Sequence, residues 1–186
     1  VSNEAEFRLV FAGGVTPQWN HESILRAIQP MDGVSYHVYG KGQQNYLDRL
    51  SVIDGAGRLV YHGHVSHDHV ASALGSASVG MALCQPSKNT AGMLGSLGNT
   101  KLFEYMLNGL PVICTNFQLW EGIVEGASCG LCVSVDNVEE IAQAISYLRQ
   151  HPAECKEMGR KGRGAVLREY NWKAAEKELL NLYEKA

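Results

Sequence analysis

Short runs of apolar and β-branched residues alternate with amphipathic segments between residues 8 and 134. The runs predict strands, and the segments between them, in which apolar residues recur every three or four positions, predict helices. The predicted strands lie at 8–12, 34–39, 58–61, 77–83, 111–114 and 130–134, and the predicted helices at 21–29, 43–51, 66–75, 100–108 and 117–125. This alternation indicates βαβ units. We therefore expect an α/β fold with a Rossmann-like parallel sheet of about six strands and helices on both faces.

The strand pattern stops after residue 137, and helical periodicity continues alone. It predicts helices at 137–149, 153–168 and 172–185, separated by Pro152 and by the Tyr170-Asn171 pair, and so a helical C-terminal tail. Neither an internal repeat nor a low-complexity linker divides the chain. Because 186 residues fit one ordinary domain, we expect residues 1–186 to form a single domain.

Glycine turns follow the first three predicted strands. They are Gly13-Gly14, Gly40-Lys41-Gly42 and Gly63. Ligands of parallel sheets bind beyond the carboxyl ends of the strands, where backbone without a Cβ can approach a phosphate closely. None of the turns is the full Gly-x-Gly-x-x-Gly fingerprint, and no acid stands at the distance that would hold an NAD ribose. The turns therefore count against an NAD-dependent oxidoreductase.

The segment 101–113 combines a helix and a buried strand with polar residues that suit a phosphate-bearing ligand. Gly109 and Pro111 end the helix, and the polar residues at its start are Asn99, Thr100, Lys101 and Glu104. A helix N-terminus with a lysine and a carboxylate suits a nucleotide-sugar, which carries both phosphates and hydroxyls. From composition alone, the same residues also fit an ordinary capped helix with a solvated glutamate.

The segment before this helix, Cys84 to Gly98, is long for a loop and rich in Gly, Ser, Asn and Thr. Loops of this length in compact domains are usually functional or mobile. The glycines Gly92, Gly95 and Gly98 would let the backbone approach a phosphate or a sugar. A flexible surface loop without a role is the alternative.

The stretch Lys101-Leu-Phe-Glu-Tyr-Met-Leu-Asn-Gly-Leu-Pro-Val-Ile113 resembles the donor-binding signature of the retaining group 1 glycosyltransferases, which have the GT-B fold. Other segments follow the order of that family: Phe11-Ala-Gly-Gly14, Tyr36-His-Val-Tyr-Gly-Lys-Gly42, Val60-Tyr-His-Gly-His-Val65, Gly130-Leu-Cys-Val-Ser134 and Tyr170-Asn-Trp172. The resemblance implies that the chain is the C-terminal, donor-binding half of such an enzyme, inactive alone, with the N-terminal acceptor half absent. The closing helix from Trp172 would return towards that half.

The implied reaction transfers a hexosyl group from a nucleoside-diphosphate sugar to a saccharide or lipid-linked acceptor, in polysaccharide or cell-surface glycan biosynthesis. The implied nucleotide-sugar-binding residues are Gly13, Gly14, His64, Val65, Asn99, Thr100, Lys101 and Glu104. In the family the glutamate accepts hydrogen bonds from the ribose, while the lysine and the amides of Thr100 and Lys101 lie near the diphosphate. The backbone around His64 and Val65 meets the base. The resemblance implies neither a cofactor nor a metal ion, names no catalytic residue here, and makes a UDP-type or GDP-type sugar the donor.

Three positions depart from the pattern of the family. Ser96 stands where many members carry a second glutamate that meets the sugar, and Gly14 and Trp19 stand where many carry an arginine and a lysine. These departures leave two other classes open. One is a nucleotide-sugar-binding module without catalysis. The other is a nucleotide-sugar epimerase on the same fold, or a generic Rossmann oxidoreductase.

Two further clusters could in principle bind a metal. The run His62-Gly-His-Val-Ser-His-Asp-His69 has spacing that suits zinc or nickel, yet it spans a strand end, a turn and a helix start, where Ser66 or Asp68 would cap well. The Cys129-Gly-Leu-Cys132 pair has no second pair beside it, so we expect Cys132 to pack as a small apolar residue. We therefore assign no metal site.

Charge and cysteine content limit the partners and the compartment. The formal net charge is −3, which excludes a bulk attraction to nucleic acid. Five cysteines without framework spacing indicate reduced thiols in a cytoplasmic protein. No apolar run approaches the roughly 20 residues of a spanning helix. Basic residues after Lys156, interleaved with glutamates, leave a peripheral contact with the inner face of the membrane open.

Overall fold

The computed structural model describes residues 6–171 and residue 176. In this part of the chain there are six strands: β1 (Phe7–Ala12), β2 (Val34–Tyr39), β3 (Leu59–Gly63), β4 (Val79–Ala82), β5 (Val112–Thr115) and β6 (Gly130–Val133). The α-helices are α1 (His21–Ile28), α2 (Gln44–Ile53), α3 (His67–Ser76), α4 (Lys101–Leu107), α5 (Gln118–Ala127), α6 (Val138–Gln150) and α7 (Pro152–Arg168). None of the helices in the described residues is long and apolar enough to cross a membrane.

All six strands run parallel, in the order β3-β2-β1-β4-β5-β6. The chain starts at the centre of the sheet with β1, builds outwards to β3, and then crosses to β4 on the other side of β1. The winding direction thus reverses between β1 and β4, and ligands of such sheets bind in the crevice at this point. The predicted Rossmann-like parallel sheet is confirmed.

Side chains of the strands alternate between two apolar layers, one on each face of the sheet. In β1, Leu9 and Phe11 belong to one layer, and Val10 and Ala12 belong to the other. Helices α1, α2 and α6 cover the first layer, and α3, α4, α5 and α7 cover the second. Burial on both faces explains why these strands are nearly continuous apolar runs in the sequence.

The predicted elements agree with the observed ones to within two residues at each end. Helices α6 and α7 confirm the helical character of the segment after residue 137, whereas the predicted helix 172–185 lies outside the described residues. Two short 3₁₀ helices, Pro17–Trp19 and Lys88–Thr90, were not predicted. Both lie in loops at the carboxyl edge of the sheet, and their single turns are too short to produce a periodic pattern.

Candidate functional site

A cleft of about 430 Å³ opens at the carboxyl ends of β1, β2 and β3 and is closed on one side by the start of α4. Its lining residues are Ala12, Gly13, Gly14, Tyr39, Gly40, Lys41, His64, Val65, His67, Val70, Lys101 and Glu104. Six of the eight predicted binding residues are therefore brought together in it. The other two, Asn99 and Thr100, line an adjoining cavity that shares Lys101 with the cleft.

The glycine turns after β1, β2 and β3 are tied to one another by backbone hydrogen bonds. Gly13 donates its amide to the carbonyl of Tyr39 at 2.8 Å, and Gly40 donates to the carbonyl of Gly63 at 2.7 Å. Gly40 has a φ of +143°, and a Cβ at that position would lie 1.7 Å from the carbonyl oxygen of Gly13. Only glycine allows this approach, so the turns form a fixed backbone wall of the cleft.

Tyr105 holds α4 against the end of β1. The side chain is completely buried, and its hydroxyl accepts a hydrogen bond from the amide of Ala12 at 3.2 Å. The ring covers Gly80 of β4, where an added Cβ would lie only 2.4 Å from it. Burial raises the pKa of Tyr105, so the hydroxyl stays protonated. This contact positions Lys101, one turn earlier in the helix, and Glu104, the residue directly before Tyr105, at the cleft.

The ammonium group of Lys101 lies between two aromatic rings and the Gly13 turn. Its Nζ is 4.7 Å from the ring centre of Trp19 and 5.5 Å from that of Phe11. A Cβ on Gly13 would lie 2.5 Å from Nζ, so the glycine leaves the space that the ammonium uses. Burial lowers the pKa of Lys101, and the nearby Glu104 carboxylate acts in the opposite direction. The cation is therefore placed before any ligand arrives.

The carboxylate of Glu104 faces the same cleft and is oriented by its own helix. Its Oε1 accepts a hydrogen bond from the hydroxyl of Thr100 at 2.7 Å. One turn earlier, Oδ1 of Asn99 accepts from the amide of Lys101 at 3.3 Å. The Lys101 amide, which was expected at the diphosphate, is therefore already bonded within the protein. Asn99 and Thr100 support the site residues Lys101 and Glu104.

Most of the residues that line the adjoining cavity, of about 480 Å³, have uncharged polar side chains. Its lining residues are Gln18, Trp19, Cys84, Ser87, Asn89, Thr90, Ser96, Gly98, Asn99, Thr100 and Lys101. Among these described residues, Lys101 carries the one formal charge. Hydroxyl and amide groups of this kind can donate to and accept from the hydroxyls of a neutral sugar.

The second half of the loop between β4 and α4 is held in place by hydrogen bonds to α5. The carbonyl oxygens of Met93 and Leu94 accept the first amides of α5, at 3.0 and 2.9 Å, and the carbonyl of Ser96 accepts from the indole of Trp120 at 2.9 Å. Gly95 has a φ of +88° and packs against Phe117, where an added Cβ would lie at 2.8 Å. This glycine therefore lets the loop pack closely against Phe117.

The histidine cluster of the sequence is divided between two places in the structure. His62 stacks on Tyr39 with ring centres 4.1 Å apart and shares a hydrogen bond of 3.0 Å with His37, while His64 and His67 line the cleft. Among the described residues no group of three or more His, Cys, Asp or Glu side chains could hold a metal ion. The stacking on Tyr39 and the hydrogen bond with His37 account for the position of the His62 ring.

The Cys129-Cys132 pair belongs to the apolar layer on one face of the sheet. Sγ of Cys132 lies 3.6 Å from that of Cys114, its partner in the register of the neighbouring strand. Cys129 is buried in the same layer, and all three are free thiols. Burial raises the pKa of Cys129 to about 12, so this thiol stays protonated and unreactive.

The comparisons with known proteins agree with this geometry. A family model described as "Glycosyl transferase-like" matches residues 18–181, which include every element from α1 to α7 and most of the cleft. The chain belongs to the group 1 glycosyltransferases. Among curated proteins no sequence matches the chain.

Solved structures with the GT-B glycosyltransferase fold superpose on almost the whole chain. Sucrose-phosphate synthase from Thermosynechococcus elongatus has a TM-score of 0.80 at 20% identity, over 97% of this chain and 45% of the synthase. HepE from Anabaena, solved with UDP and glucose, has a TM-score of 0.80 at 12% identity, over 97% of this chain and 49% of HepE. The C-terminal domain of the group 1 protein LpcC from Francisella tularensis has a TM-score of 0.71 at 14% identity, over 90% of this chain and 88% of that domain. The chain thus spans less than half of the two longer proteins.

Several residues of this glycosyltransferase cleft were not predicted from the sequence. They are Tyr39, Lys41, His67 and Val70. Lys41 had a signal, because it lies inside the second glycine turn. His67 and Val70 lie in the first turn of α3. Their pattern in the sequence is that of any amphipathic helix and gives no sign of a ligand site.

Proposed function

We propose that the chain is the donor-binding half of a glycosyltransferase and binds a nucleoside-diphosphate sugar of the UDP or GDP type. The observation that carries the proposal is that Lys101 and Glu104 reach the cleft formed by the glycine turns at the switch point of the sheet. The ammonium suits a diphosphate, and a carboxylate with two oxygens suits the paired hydroxyls of a ribose. In this arrangement the base lies towards His64 and Val65.

We propose that the sugar of the donor occupies the adjoining cavity. That cavity begins at Lys101, on the far side of the proposed diphosphate position, and is lined by hydroxyl and amide groups. Ser96 lies there at the position where many relatives carry a glutamate, and its hydroxyl accepts from the amide of Gly98 at 3.2 Å. Uncharged groups would therefore recognise the hydroxyls of a hexose.

The proposed reaction exchanges one bond at the anomeric carbon of the donor. The bond from this carbon to the diphosphate oxygen breaks, and the nucleoside diphosphate leaves with the electron pair. The hydroxyl oxygen of a saccharide or lipid-linked acceptor bonds to the same carbon and gives its proton to the leaving diphosphate. Negative charge grows on the leaving diphosphate, and the fixed ammonium of Lys101 would stabilise it. We assign this reaction no cofactor and no metal ion.

The acceptor site is proposed to lie in a second domain, because the chain spans only 45% of the synthase and 49% of HepE. The chain alone is then a donor-binding unit without transferase activity. We place the whole enzyme in polysaccharide or cell-surface glycan biosynthesis, in the cytoplasm, with peripheral contact to the membrane where the acceptor is lipid-linked.

The proposal is tested by calorimetric titration of the chain with UDP, GDP, ADP and NAD in metal-free buffer. We expect saturable binding of one nucleoside diphosphate. Glu104→Gln should weaken it at least about tenfold, since hydrogen bonds to a charged partner contribute about 1.5–3 kcal/mol. Glu125→Gln, an exposed glutamate on α5, is the matched control and should leave the affinity unchanged. Binding of NAD alone would contradict the proposal.

A nucleotide-sugar-binding module without catalysis is the second candidate. The observation in its favour is that the aromatic ring of Trp19 stands beside Lys101, at a position where many relatives place another cation. Transfer assays with the chain joined to the N-terminal half of a related transferase separate the two candidates. Donor consumption that depends on an acceptor supports the enzyme, and donor binding without turnover supports the module.

A further inference from the structure

A second lysine, Lys41, lines the cleft. This residue lies in the turn after β2, and its carbonyl oxygen accepts from the amide of Val15 at 2.8 Å. The neighbouring Gly40 is fixed to Gly63 by a hydrogen bond of 2.7 Å. The backbone of Lys41 is therefore held rigidly, while its side chain is exposed and borders both the cleft and a cavity of about 360 Å³ beside Val15.

The two lysines of the cleft flank the Gly13-Gly14 turn. On one side, a Cβ on Gly13 would lie 2.5 Å from Nζ of Lys101. On the other side, the carbonyl of Gly13 contacts Gly40, the residue directly before Lys41. Gly14 itself has no neighbouring atom within 4 Å of a Cβ position, so the turn between the lysines is open to a ligand.

Lys41 determines whether the lining of the cleft is neutral or positively charged. The lining residues with formal charges are Lys41, Lys101 and Glu104. Lys101 and Glu104 cancel, and the ammonium of Lys101 also lies against two aromatic rings. Without Lys41 the described lining is neutral, although a diphosphate brings more negative charge than one lysine can offset. With Lys41 the lining carries a net positive charge.

We infer that Lys41 binds the diphosphate of the donor and completes the positive charge of the cleft. The inference rests on the proposed function and assigns a diphosphate-binding residue to that same site. Lys101 is placed in advance by α4, whereas the flexible stem of Lys41 lets its ammonium close on the phosphates from the opposite side of the glycine turn. The contribution of Lys41 to affinity should therefore depend on the phosphates and not on the nucleoside.

The test compares Lys41→Met and Lys41→Arg with Lys161→Met, a substitution of an exposed lysine on α7. Affinities are measured by calorimetry for the nucleoside diphosphate that the wild type binds, for its monophosphate and for its nucleoside. We expect Lys41→Met to weaken diphosphate binding about tenfold and to leave nucleoside binding within about twofold. Lys41→Arg should keep most of the affinity, and Lys161→Met all of it.

Raising the salt concentration gives a second measurement. The affinity of the wild type for the diphosphate should fall more steeply with salt than that of Lys41→Met, because one screened charge has been removed. Suppose that the wild type binds a nucleoside diphosphate. If Lys41→Met binds it equally well, or if Lys41→Met loses as much affinity for the nucleoside as for the diphosphate, the inference about Lys41 fails and the proposed function stands. If the wild type binds no nucleoside diphosphate, the proposed function fails and the inference fails with it.

Discussion

His21 makes the stability of the domain depend on pH, although it is not part of the cleft. Its side chain is completely buried at the start of α1, with Nδ1 at 2.8 Å from the hydroxyl of Tyr36. Nε2 has no hydrogen-bond partner among the described residues. Burial lowers the pKa of His21 to about 3, so the imidazole is neutral in the folded protein at neutral pH.

Lowering the pH should therefore destabilise the wild type through His21. In the unfolded chain the imidazole takes up a proton below about pH 6.5, but in the folded chain it does so only near pH 3. The stability that the neutral form provides is complete above the unfolded pKa and is lost as the pH falls below it, by about 1.4 kcal/mol per pH unit.

Urea unfolding at pH 7 and pH 5 measures this loss. In His21→Leu, the difference in free energy of unfolding between the two pH values should be smaller than in the wild type by about 2 kcal/mol. The comparison uses differences within each variant, so a general loss of stability in His21→Leu does not affect it. Equal differences in the two proteins would show that another group is responsible.

Gly40 should also affect stability, because its close backbone contact with Gly13 joins two turns of the cleft. Gly40→Ala would place a Cβ 1.7 Å from the carbonyl of Gly13 at a positive φ, so the turns must separate. We expect a loss of about 2–3 kcal/mol in the free energy of unfolding together with weaker nucleotide binding. Gly55→Ala is the control, since no atom lies within 4 Å of its Cβ position. Similar behaviour of the two variants would mean that the turn tolerates a side chain.

Among the helices, α4 is joined to β1 by a buried hydrogen bond that its tyrosine hydroxyl accepts. Tyr105→Phe leaves the amide of Ala12 without its acceptor at 3.2 Å, so the free energy of unfolding should fall by about 1–3 kcal/mol. Nucleotide affinity should fall as well, because Lys101 and Glu104 follow the helix. Tyr147→Phe removes a hydroxyl that bonds Glu154 at the surface, and should change stability by less than about 0.5 kcal/mol. Thermal and calorimetric titrations of the same samples check both effects.

Most of the strands, helices and turns could be predicted from the sequence. The strands and helices were predictable because the strands are buried on both faces and the helices on one, which leaves strong apolar patterns. The glycine turns and α4 were expected at one edge of the sheet because parallel strands all end there. Ser66 was a candidate cap of α3, and its hydroxyl does accept the amide of His69 at 3.3 Å.

The features that were not predicted depend on contacts between distant parts of the chain. The shape of the loop before α4 rests on Phe117 and Trp120, which follow the loop by a strand and a helix. Likewise, Lys41 lines the cleft because β2 lies beside β1. A lysine between two glycines does not show in the sequence which neighbouring strand its turn will contact. Periodicity reports the burial of a segment but not its neighbours.

In the molecule as a whole, the cavities at the two ends of the sheet have different linings. A cavity of about 860 Å³ lies at the amino ends of the strands, near Ser78, Pro111 and Cys155, and contains none of the predicted binding residues. The cleft at the carboxyl ends is half that volume but joins turns from three strands and one helix. The convergence of backbone turns and opposite charges, not volume, therefore identifies the candidate site.

The strand order has a consequence for the growing chain during synthesis. Gly13 and Lys101, which meet in the cleft, are separated by α1, β2, α2, β3, α3 and β4, so a ribosome must release all of these before the cleft can form. Until β4 emerges, one edge of β1 also lacks its partner strand. Because a ligand stabilises only the conformation that binds it, the nucleotide that we propose for the cleft would support the last steps of folding and none of the early ones.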